Sequence, residues 1–223
     1  MRSHTVSPRA IRKYLALVGA LLGCLLASGC YLGSARNTTL ADVAGDKDWE
    51  IVHGVPELHQ LDREDCGAAA LAMVLGYWGL PITLDNIEAA MPPAGGLRAA
   101  DLRDFARRRG LQAFLIQGGL DDLQRELHRG RPILVGLVKR YSWRAYSHYE
   151  VVIGINRVKQ RVLTLDPAHG LRLDSSAGFV TEWAKADQLT LVVFPQVPTA
   201  PRVSTTPTKS SDVAWEGTPP PPN

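Results

Sequence analysis

Two kinds of hydrophobic pattern follow one another through the middle of the chain. The first is helical, with apolar residues recurring at helical spacing in segments that lie at 66–77, 84–90, 99–109 and 121–129. The second consists of short runs rich in β-branched residues, separated by Gly, Asn and Asp, at 133–138, 149–155, 161–165 and 189–194. Helices that precede an antiparallel sheet define an α+β arrangement, and we therefore expect a fold of this class.

Both ends of the chain lack such patterns. Residues 33–47 are polar and aperiodic, which predicts a tether over 30–48. Residues 195–223 are dense in Pro, Thr and Ser and include a run of prolines at 219–222, so we expect a disordered or extended tail there. The interval 49–194 is then one folded domain of ordinary size.

The first 30 residues predict export. A basic stretch precedes an apolar run, 15–27, that is shorter than the roughly 18 residues needed to span a bilayer as a helix. The run ends in the sequence ASGC, whose cysteine is Cys30, and this ending resembles the lipobox of bacterial lipoproteins. The resemblance implies that residues 1–29 are a signal peptide and that Cys30 carries a lipid anchor. Ordinary signal cleavage and an uncleaved anchor are the alternatives.

The residue after the cysteine bears on the choice of membrane. In lipoproteins of bacteria with two membranes, aspartate at this place commonly causes retention in the inner membrane, whereas this chain has Tyr31. The resemblance therefore implies transfer to the outer membrane, with the domain facing the periplasm.

Removal of the signal peptide changes the charge balance. The full chain has 25 basic and 22 acidic residues, and four of the basic residues lie in 1–29, which leaves a formal net charge of −1. The mature chain thus has no excess of positive charge for nucleic acid or for an anionic surface, and neither is an expected partner.

The same cleavage leaves a single free thiol. Cys24 departs with the signal peptide and Cys30 carries the lipid, so Cys66 has no partner for an internal disulfide and is either a buried inert thiol or a catalytic one. Cys66 stands where a loop becomes a helix, and the unpaired N–H groups and dipole of a helix N-terminus stabilise a thiolate. These N–H groups can also donate to the oxyanion of an attacked carbonyl, with the side-chain amide of Gln60 as a second donor.

A thiolate nucleophile works with a base, and the base with an acceptor that orients it. His148 begins the alternating run 148–155, and Asp166 ends the next run, 161–166. If these strands are antiparallel neighbours, the two side chains meet at one end of the sheet. His169 lies in the loop close to Asp166 and is the rival base.

Three motifs carry a resemblance to a known family. The segments QLDREDCGAAALAMVLGYWG, SHYEVVIGI and LTLDPAHG resemble those of the double-glycine leader peptidases, over about residues 57–194. These papain-like cysteine peptidases, best known as domains of bacteriocin exporters, cut peptide precursors after a Gly-Gly type leader. The resemblance implies a papain-like fold, in which N-terminal helices carry the nucleophile and pack on an antiparallel sheet that carries the histidine and the aspartate.

The family pattern also assigns roles to single residues. It implies that Cys66 is the nucleophile, His148 the base, Asp166 the residue that orients it, and Gln60 an oxyanion-hole donor, with no metal or organic cofactor. Ser147 and Glu150 depart from the glycine and the aliphatic residue of the family pattern.

Each of these residues also has a simpler interpretation. Cys66 alone would suit a core position, His148 a hydrogen-bonded strand, and Asp166 a turn with Pro167. Their joint occurrence with Gln60 favours catalysis. Three aromatic residues before His148 are candidates for lining a substrate groove, namely Tyr141, Trp143 and Tyr146.

The sequence thus predicts an exported, lipid-anchored cysteine endopeptidase that acts on peptide or protein precursors and is linked to a secretion apparatus. Two alternatives remain open. One is a catalytically silent domain that binds leader segments for a secretion system, and the other is a papain-like amidase or transferase that acts on cell-envelope substrates.

Overall fold

The computed structural model describes residues 31–91, 96–142 and 144–196. The described part begins with three short elements, continues through three helices, and ends with six strands, among which two further helices are inserted. In order, these are β1 (Arg36–Asn37), α1 (Leu40–Val43), β2 (Trp49–Ile51), α2 (Cys66–Tyr77), α3 (Leu84–Ala90), α4 (Ala99–Arg108), β3 (Leu111–Gln117), α5 (Leu120–His128), β4 (Ile133–Tyr141), β5 (Arg144–Asn156), β6 (Arg161–Asp166), β7 (Gly170–Ser175), α6 (Ser176–Ala184) and β8 (Leu189–Pro195).

One antiparallel sheet organises these elements. Its strands follow the order β1-β7-β6-β5-β4-β8-β3, and β2 pairs with β5 beside this path. The register between β5 and β6 shifts between Val152 and Gly154, where β5 carries an extra residue. A Cβ atom at Gly154 would lie 3.2 Å from side chains of Ile51 and Leu163, so a glycine suits this point of close approach.

Helices cover both faces of the sheet. Alternate residues of a strand point to opposite faces, so Leu134 packs under α2–α4 while Ile133 and Val135 pack against α5 and α6. Helix α2 is apolar on every side, and all of its residues from Cys66 to Leu75 are buried, because it lies between the sheet and the neighbouring helices. Among the described residues, no helix has the length and apolar character needed to cross a membrane.

The predicted helices and strands agree closely with the observed ones. Helices α2 and α3 have the predicted bounds, and the four predicted strands are β4, β5, β6 and β8, with β4 longer at its C-terminal end and β5 longer at its N-terminal end. Strands β3 and β7 and helix α6 were not predicted, because their sequences mix polar and apolar residues without a clear period of 2 or 3.6.

The N-terminal segment differs from the expected tether. Residues 31–51 pack on the domain: β1 pairs with β7, and the Arg172 guanidinium donates a 2.6 Å hydrogen bond to the Ala35 carbonyl and another to Asn37. Val43 is buried in the core. Most of these residues are exposed, which explains their polarity, while a few bind the sheet edge through backbone and side-chain hydrogen bonds. Residues 1–30, with the predicted signal peptide and Cys30, and the tail from 197 onward lie outside the described residues.

Replacing Leu71 with alanine tests the central position of α2. Leu71 is fully buried, so Leu71→Ala is expected to lower the free energy of unfolding by about 3 kcal/mol through lost burial and the cavity left behind. The matched control is Leu61→Ala, because Leu61 is 80% exposed. Urea unfolding followed by circular dichroism measures both, and equal losses would contradict the buried position of α2.

Candidate active site

Cys66 is the first residue of α2 and is buried. A short 3₁₀ turn, Arg63–Asp65, leads into the helix, and the Asp62 backbone N–H donates a 2.6 Å hydrogen bond to the Asp65 carboxylate. A Cβ atom at Gly67 would lie 3.2 Å from the Tyr149 ring, so the absence of a side chain there lets the start of the helix approach β5. The sulfur thus sits at a helix N-terminus, where N–H groups stabilise negative charge.

His148 and Asp166 meet as the sequence predicts. His148 Nε2 lies 2.7 Å from Asp166 Oδ1, and the Ala168 backbone N–H donates a further 2.8 Å hydrogen bond to the same oxygen. The side chains are 12% and 2% exposed, so water competes little for this bond. His148 also forms a hydrogen bond with the Cys66 side chain, and with Nε2 engaged by Asp166 the nitrogen left for the sulfur is Nδ1.

Electrostatics favour a charged pair at this position. Burial alone would lower the pKa of His148, but the hydrogen bonds to Asp166 and Cys66 and the negative charge of Asp166 and Glu150 raise it to about 10. Burial would raise the pKa of Asp166, and the hydrogen bond from His148 outweighs it and lowers that pKa to about 2. At neutral pH the pair is therefore an imidazolium held by a carboxylate.

Gln60 lies in the same cleft but makes contacts of its own. Its backbone N–H donates to the Pro167 carbonyl at 3.0 Å, which holds the loop before Cys66 against the turn after Asp166. The side-chain Nε2 donates to the Asp62 carbonyl at 2.9 Å, and a primary amide nitrogen retains a second hydrogen for another acceptor. The oxyanion role expected of Gln60 stays a prediction.

Gln60, His148 and Asp166 line a cleft with a volume of about 820 Å³. Tyr141 and Tyr146, two of the predicted groove residues, line it with ring centroids 5.8 Å apart. The Arg63 guanidinium lies over the Tyr146 ring at 4.6 Å from its centroid. Trp143, the third predicted groove residue, lies outside the described residues.

The rival base has a different place. His169 is exposed at the rim of the cleft, and its backbone N–H, not its ring, binds Asp166, through the backbone carbonyl at 3.1 Å. The Asp166 carboxylate is bound by His148 instead. Of the two histidines, His148 is therefore the one whose ring binds the Asp166 carboxylate.

Sequence reasoning missed a buried charged group next to this pair. Lys139 lies 2.7 Å from Glu150 and 2.8 Å from Glu182, and Tyr31 from the N-terminal segment lines the cleft beside Lys139. The available signal was a lysine and a glutamate inside the apolar strands ILVGLVKRY and SHYEVVIGI.

His148, Glu150 and Asp166 also place potential metal ligand atoms within 4.8 Å of one another. Their other contacts suit a different purpose. The Lys139 ammonium already forms an ion pair with Glu150, and His148 Nε2 already binds Asp166. These potential ligand atoms are therefore engaged by groups of the protein itself.

The chain is similar in sequence to known proteins. The sequence profile of the peptidase C39 family matches residues 55–196. Relatives include the lactococcin-G-processing and transport ATP-binding protein LagD of Lactococcus lactis, 27% identical over 127 residues, and the colicin V secretion/processing ATP-binding protein CvaB of Escherichia coli, 28% identical over 119 residues. The matched parts are 56% and 53% of this chain but 17% and 15% of those proteins, so the chain spans about one sixth of their length.

Solved structures are similar in fold. The peptidase domain of Streptococcus ComA has a TM-score of 0.53 and 22% identity, covering 64% of this chain and 100% of that domain. A double glycine motif protease from an AMS/PCAT transporter, in complex with the leader peptide, has a TM-score of 0.53 and 23% identity, covering 64% of this chain and 93% of the other. The predicted α+β fold of papain-like type is confirmed.

The His148–Asp166 pair predicts a pH-dependent stability. Because the pKa of His148 rises from 6.5 to about 10 on folding, its contribution is complete below pH 6.5 and is lost as the pH rises through about 10. Because the pKa of Asp166 falls from 3.8 to about 2, its contribution is complete above pH 3.8 and is lost as the pH falls through about 2. Asp166→Asn is therefore expected to be less stable than the parent by about 3 kcal/mol near pH 6, with the difference shrinking towards pH 10.

Melting temperatures of the parent and of Asp166→Asn across this pH range measure the effect. Asp121→Asn is the control, because the Asp121 carboxylate is 84% exposed in a surface ion pair with Arg157. A difference between the parent and Asp166→Asn that is the same at pH 6 and pH 10 would contradict the assigned ion pair.

Proposed function

The chain belongs to the peptidase C39 family of cysteine peptidases, and we propose that it is an endopeptidase that cleaves peptide precursors after a Gly-Gly type leader. The observation that carries the proposal is the hydrogen-bonded chain of Cys66, His148 and Asp166, of which His148 and Asp166 line the cleft. The leader-bound double glycine motif protease and the bacteriocin-processing relatives support the substrate class.

The arrangement supports a two-step hydrolysis. In the first step the Cys66 thiolate attacks the carbonyl carbon of the scissile bond, a C–S bond forms, and the N–H groups at the start of α2 donate to the oxyanion. His148 then gives its Nδ1 proton to the leaving amine as the C–N bond breaks. In the second step His148 takes a proton from water, the hydroxide attacks the thioester, and the C–S bond breaks to release the acid and the thiolate.

Gln60 and Asp166 assist the reaction without forming or breaking a covalent bond. The free hydrogen of the Gln60 amide is the proposed second donor to the oxyanion. Asp166 fixes the imidazole with Nε2 towards the carboxylate, so that Nδ1 is presented to the sulfur in both steps. The complete set of groups supports an active enzyme over a silent leader-binding domain.

A peptide assay tests the proposal. The mature chain is expected to cleave a quenched fluorescent peptide with a Gly-Gly site, and Cys66→Ala is expected to lower kcat by at least about 1,000-fold, since the nucleophile is lost. Mass spectrometry locates the cut. Because triad residues act as a unit, Asp166→Asn combined with Cys66→Ala should be no slower than Cys66→Ala alone.

Two outcomes would contradict the peptidase proposal. One is unchanged cleavage by Cys66→Ala. The other is cleavage of an amide or transfer to an amine acceptor with no hydrolysis of any Gly-Gly peptide, which would support the amidase or transferase alternative.

A second part of the proposal concerns location. We propose that Cys30 carries a lipid, that the enzyme faces the periplasm from the outer membrane, and that it serves a secretion apparatus. The lipobox-like ending at Cys30 supports the anchor. Since consecutive Cα atoms are about 3.8 Å apart and Tyr31 lines the cleft, the anchor would hold the cleft close to the membrane surface.

Replacing Cys30 with alanine tests the anchor. Cys30→Ala is expected to move the protein from the membrane fraction to the soluble fraction, because a lipid chain contributes about 0.8 kcal/mol of membrane binding per CH₂ group. Cys24→Ala is the control, because Cys24 lies inside the apolar run and would leave with the signal peptide. Cys30→Ala protein that remains in the membrane fraction would identify the apolar run itself as the anchor.

A further inference from the structure

A chain of buried charges begins at the cleft, which Lys139 lines, and extends into the domain. The side chains of Lys139, Glu150 and Glu182 are 8%, 1% and 5% exposed, and the ammonium lies 2.7 Å from Glu150 and 2.8 Å from Glu182. Thr164 Oγ1 donates a 2.6 Å hydrogen bond to the other oxygen of Glu150. Buried ions are retained only with such partners, so the position of each group depends on the others.

This chain of charges reaches the catalytic pair. Glu150 follows His148 by two residues in β5, so both side chains lie on the same face of the strand. A Glu150 oxygen, a His148 ring nitrogen and an Asp166 oxygen lie within 4.8 Å of one another. The imidazolium therefore faces two carboxylates, of which Asp166 forms the direct bond and Glu150 acts through its charge.

The other end of the chain is Tyr31. Its hydroxyl donates a 2.6 Å hydrogen bond to Glu182, and its ring centroid lies 5.6 Å from the Lys139 ammonium. The Leu32 backbone N–H donates to the Arg140 carbonyl at 2.9 Å, which fixes Tyr31 beside the end of β4. Tyr31 thus lies beside Lys139, and both residues line the cleft.

We propose that Tyr31 and the buried chain Glu182–Lys139–Glu150 fix the position of the His148–Asp166 pair and stabilise its imidazolium. The N-terminal segment thereby completes the active site. Tyr31 lies outside residues 55–196, the part that matches the family, and Glu150 departs from the family pattern. The inference rests on the proposed peptidase function of the same cleft. Tyr31, Lys139, Glu150 and Glu182 are positioning residues, because each acts through another group.

Each charge in the chain Glu182–Lys139–Glu150 depends on a partner of opposite sign. Without Lys139, the carboxylates of Glu150 and Glu182 would be buried without a cation, and protonation of Glu150 would remove its field at His148. Burial would lower the pKa of Lys139, but the two glutamates outweigh it and hold that pKa above its usual range, so the ammonium persists. Burial raises the pKa of Tyr31, which therefore remains a neutral donor to Glu182. Tyr31 also keeps water away from the ion pairs and so reduces their screening.

Several other ionisable groups share this environment and are the same in every variant proposed below. They come from each element packed around the pair: Cys66 from α2, Tyr149 from β5, His169 from the turn after β6 and Asp174 from β7. A change at Glu150 or Tyr31 alone can therefore be assigned to the proposed chain.

Glu150→Gln in the full mature chain is the first test. It removes a negative charge from beside the imidazolium, which lowers the pKa of His148 and makes the thiolate–imidazolium pair less stable. The alkaline limb of the pH–rate profile for peptide cleavage is expected to move to lower pH by about one unit. Iodoacetamide labelling of Cys66 at pH 6 is expected to slow about tenfold. The value of kcat is expected to fall while KM stays the same.

Tyr31→Phe is the second test. Tyr31 lies at the edge of the fold, so this variant is expected to remain folded. Loss of the hydroxyl is expected to lower kcat and the labelling rate about threefold with KM unchanged, the effect of one weakened hydrogen bond transmitted through Lys139. Two matched controls lie away from the cleft. Tyr77→Phe also loses a hydroxyl, which donates a 2.8 Å hydrogen bond to the Gly130 carbonyl, and Glu126→Gln changes a buried glutamate bound by Arg129 and Arg131.

The readouts separate this inference from simple stabilisation and from the peptidase proposal. If the test and control variants lose stability alike and none changes the pH profile or the labelling rate, the chain of charges is structural only and the inference is wrong. If no Gly-Gly peptide is cleaved by the parent but Glu150→Gln and Tyr31→Phe still slow the labelling of Cys66, the peptidase proposal fails and the positioning role stands.

Discussion

Strand β5 pairs with β2, β4 and β6, and the groups that act on the Cys66 thiol are placed by these pairings or by the helix that packs on them. The β5–β6 pairing brings Asp166 to His148, and the β4–β5 pairing brings Lys139 to Glu150. The bulge at Val152 and Gly154 lets both registers coexist with continuous burial on the two faces. A shift of one residue in β5 would turn His148 and Glu150 to the other face of the sheet, away from Asp166 and Lys139.

The nucleophile depends on the same sheet through α2. This helix is apolar all round and buried, so it can be accommodated only in the layer between the sheet and helices α3 and α4. Its position sets the sulfur at the helix N-terminus, where the Cys66 side chain forms a hydrogen bond with His148 of β5. The close approach at Gly67 to the Tyr149 ring is part of the same fit, since a larger residue would push the helix start away from β5.

The interior around this site is unusually rich in charge for a small domain. Buried ions lower stability unless each one has partners, and here the lysine, two glutamates, the aspartate and the histidine form one connected set. Such a set is sensitive to its outermost member, because loss of one contact leaves the next charge unpaired. This sensitivity explains how a short N-terminal segment, which adds little to the apolar core, can matter for a site on β5.

Much of this protein is determined by local sequence. The helix start at Cys66, the bounds of α2 and α3, and the strands that carry His148 and Asp166 follow from hydrophobic period and turn residues, because those signals depend on neighbours within a few positions. The contacts of Tyr31 with Glu182, of Ser34 with Asp174 and of Lys139 with Glu150 were decided only by the tertiary structure. Local pattern assigned residues 33–47 to a tether and left Lys139 and Glu150 without a role, since polar residues indicate exposure when their partners are not known. Tyr31 and Glu182 are 151 residues apart, so their contact exists only once β4, α6 and the N-terminal segment have been assembled around the sheet.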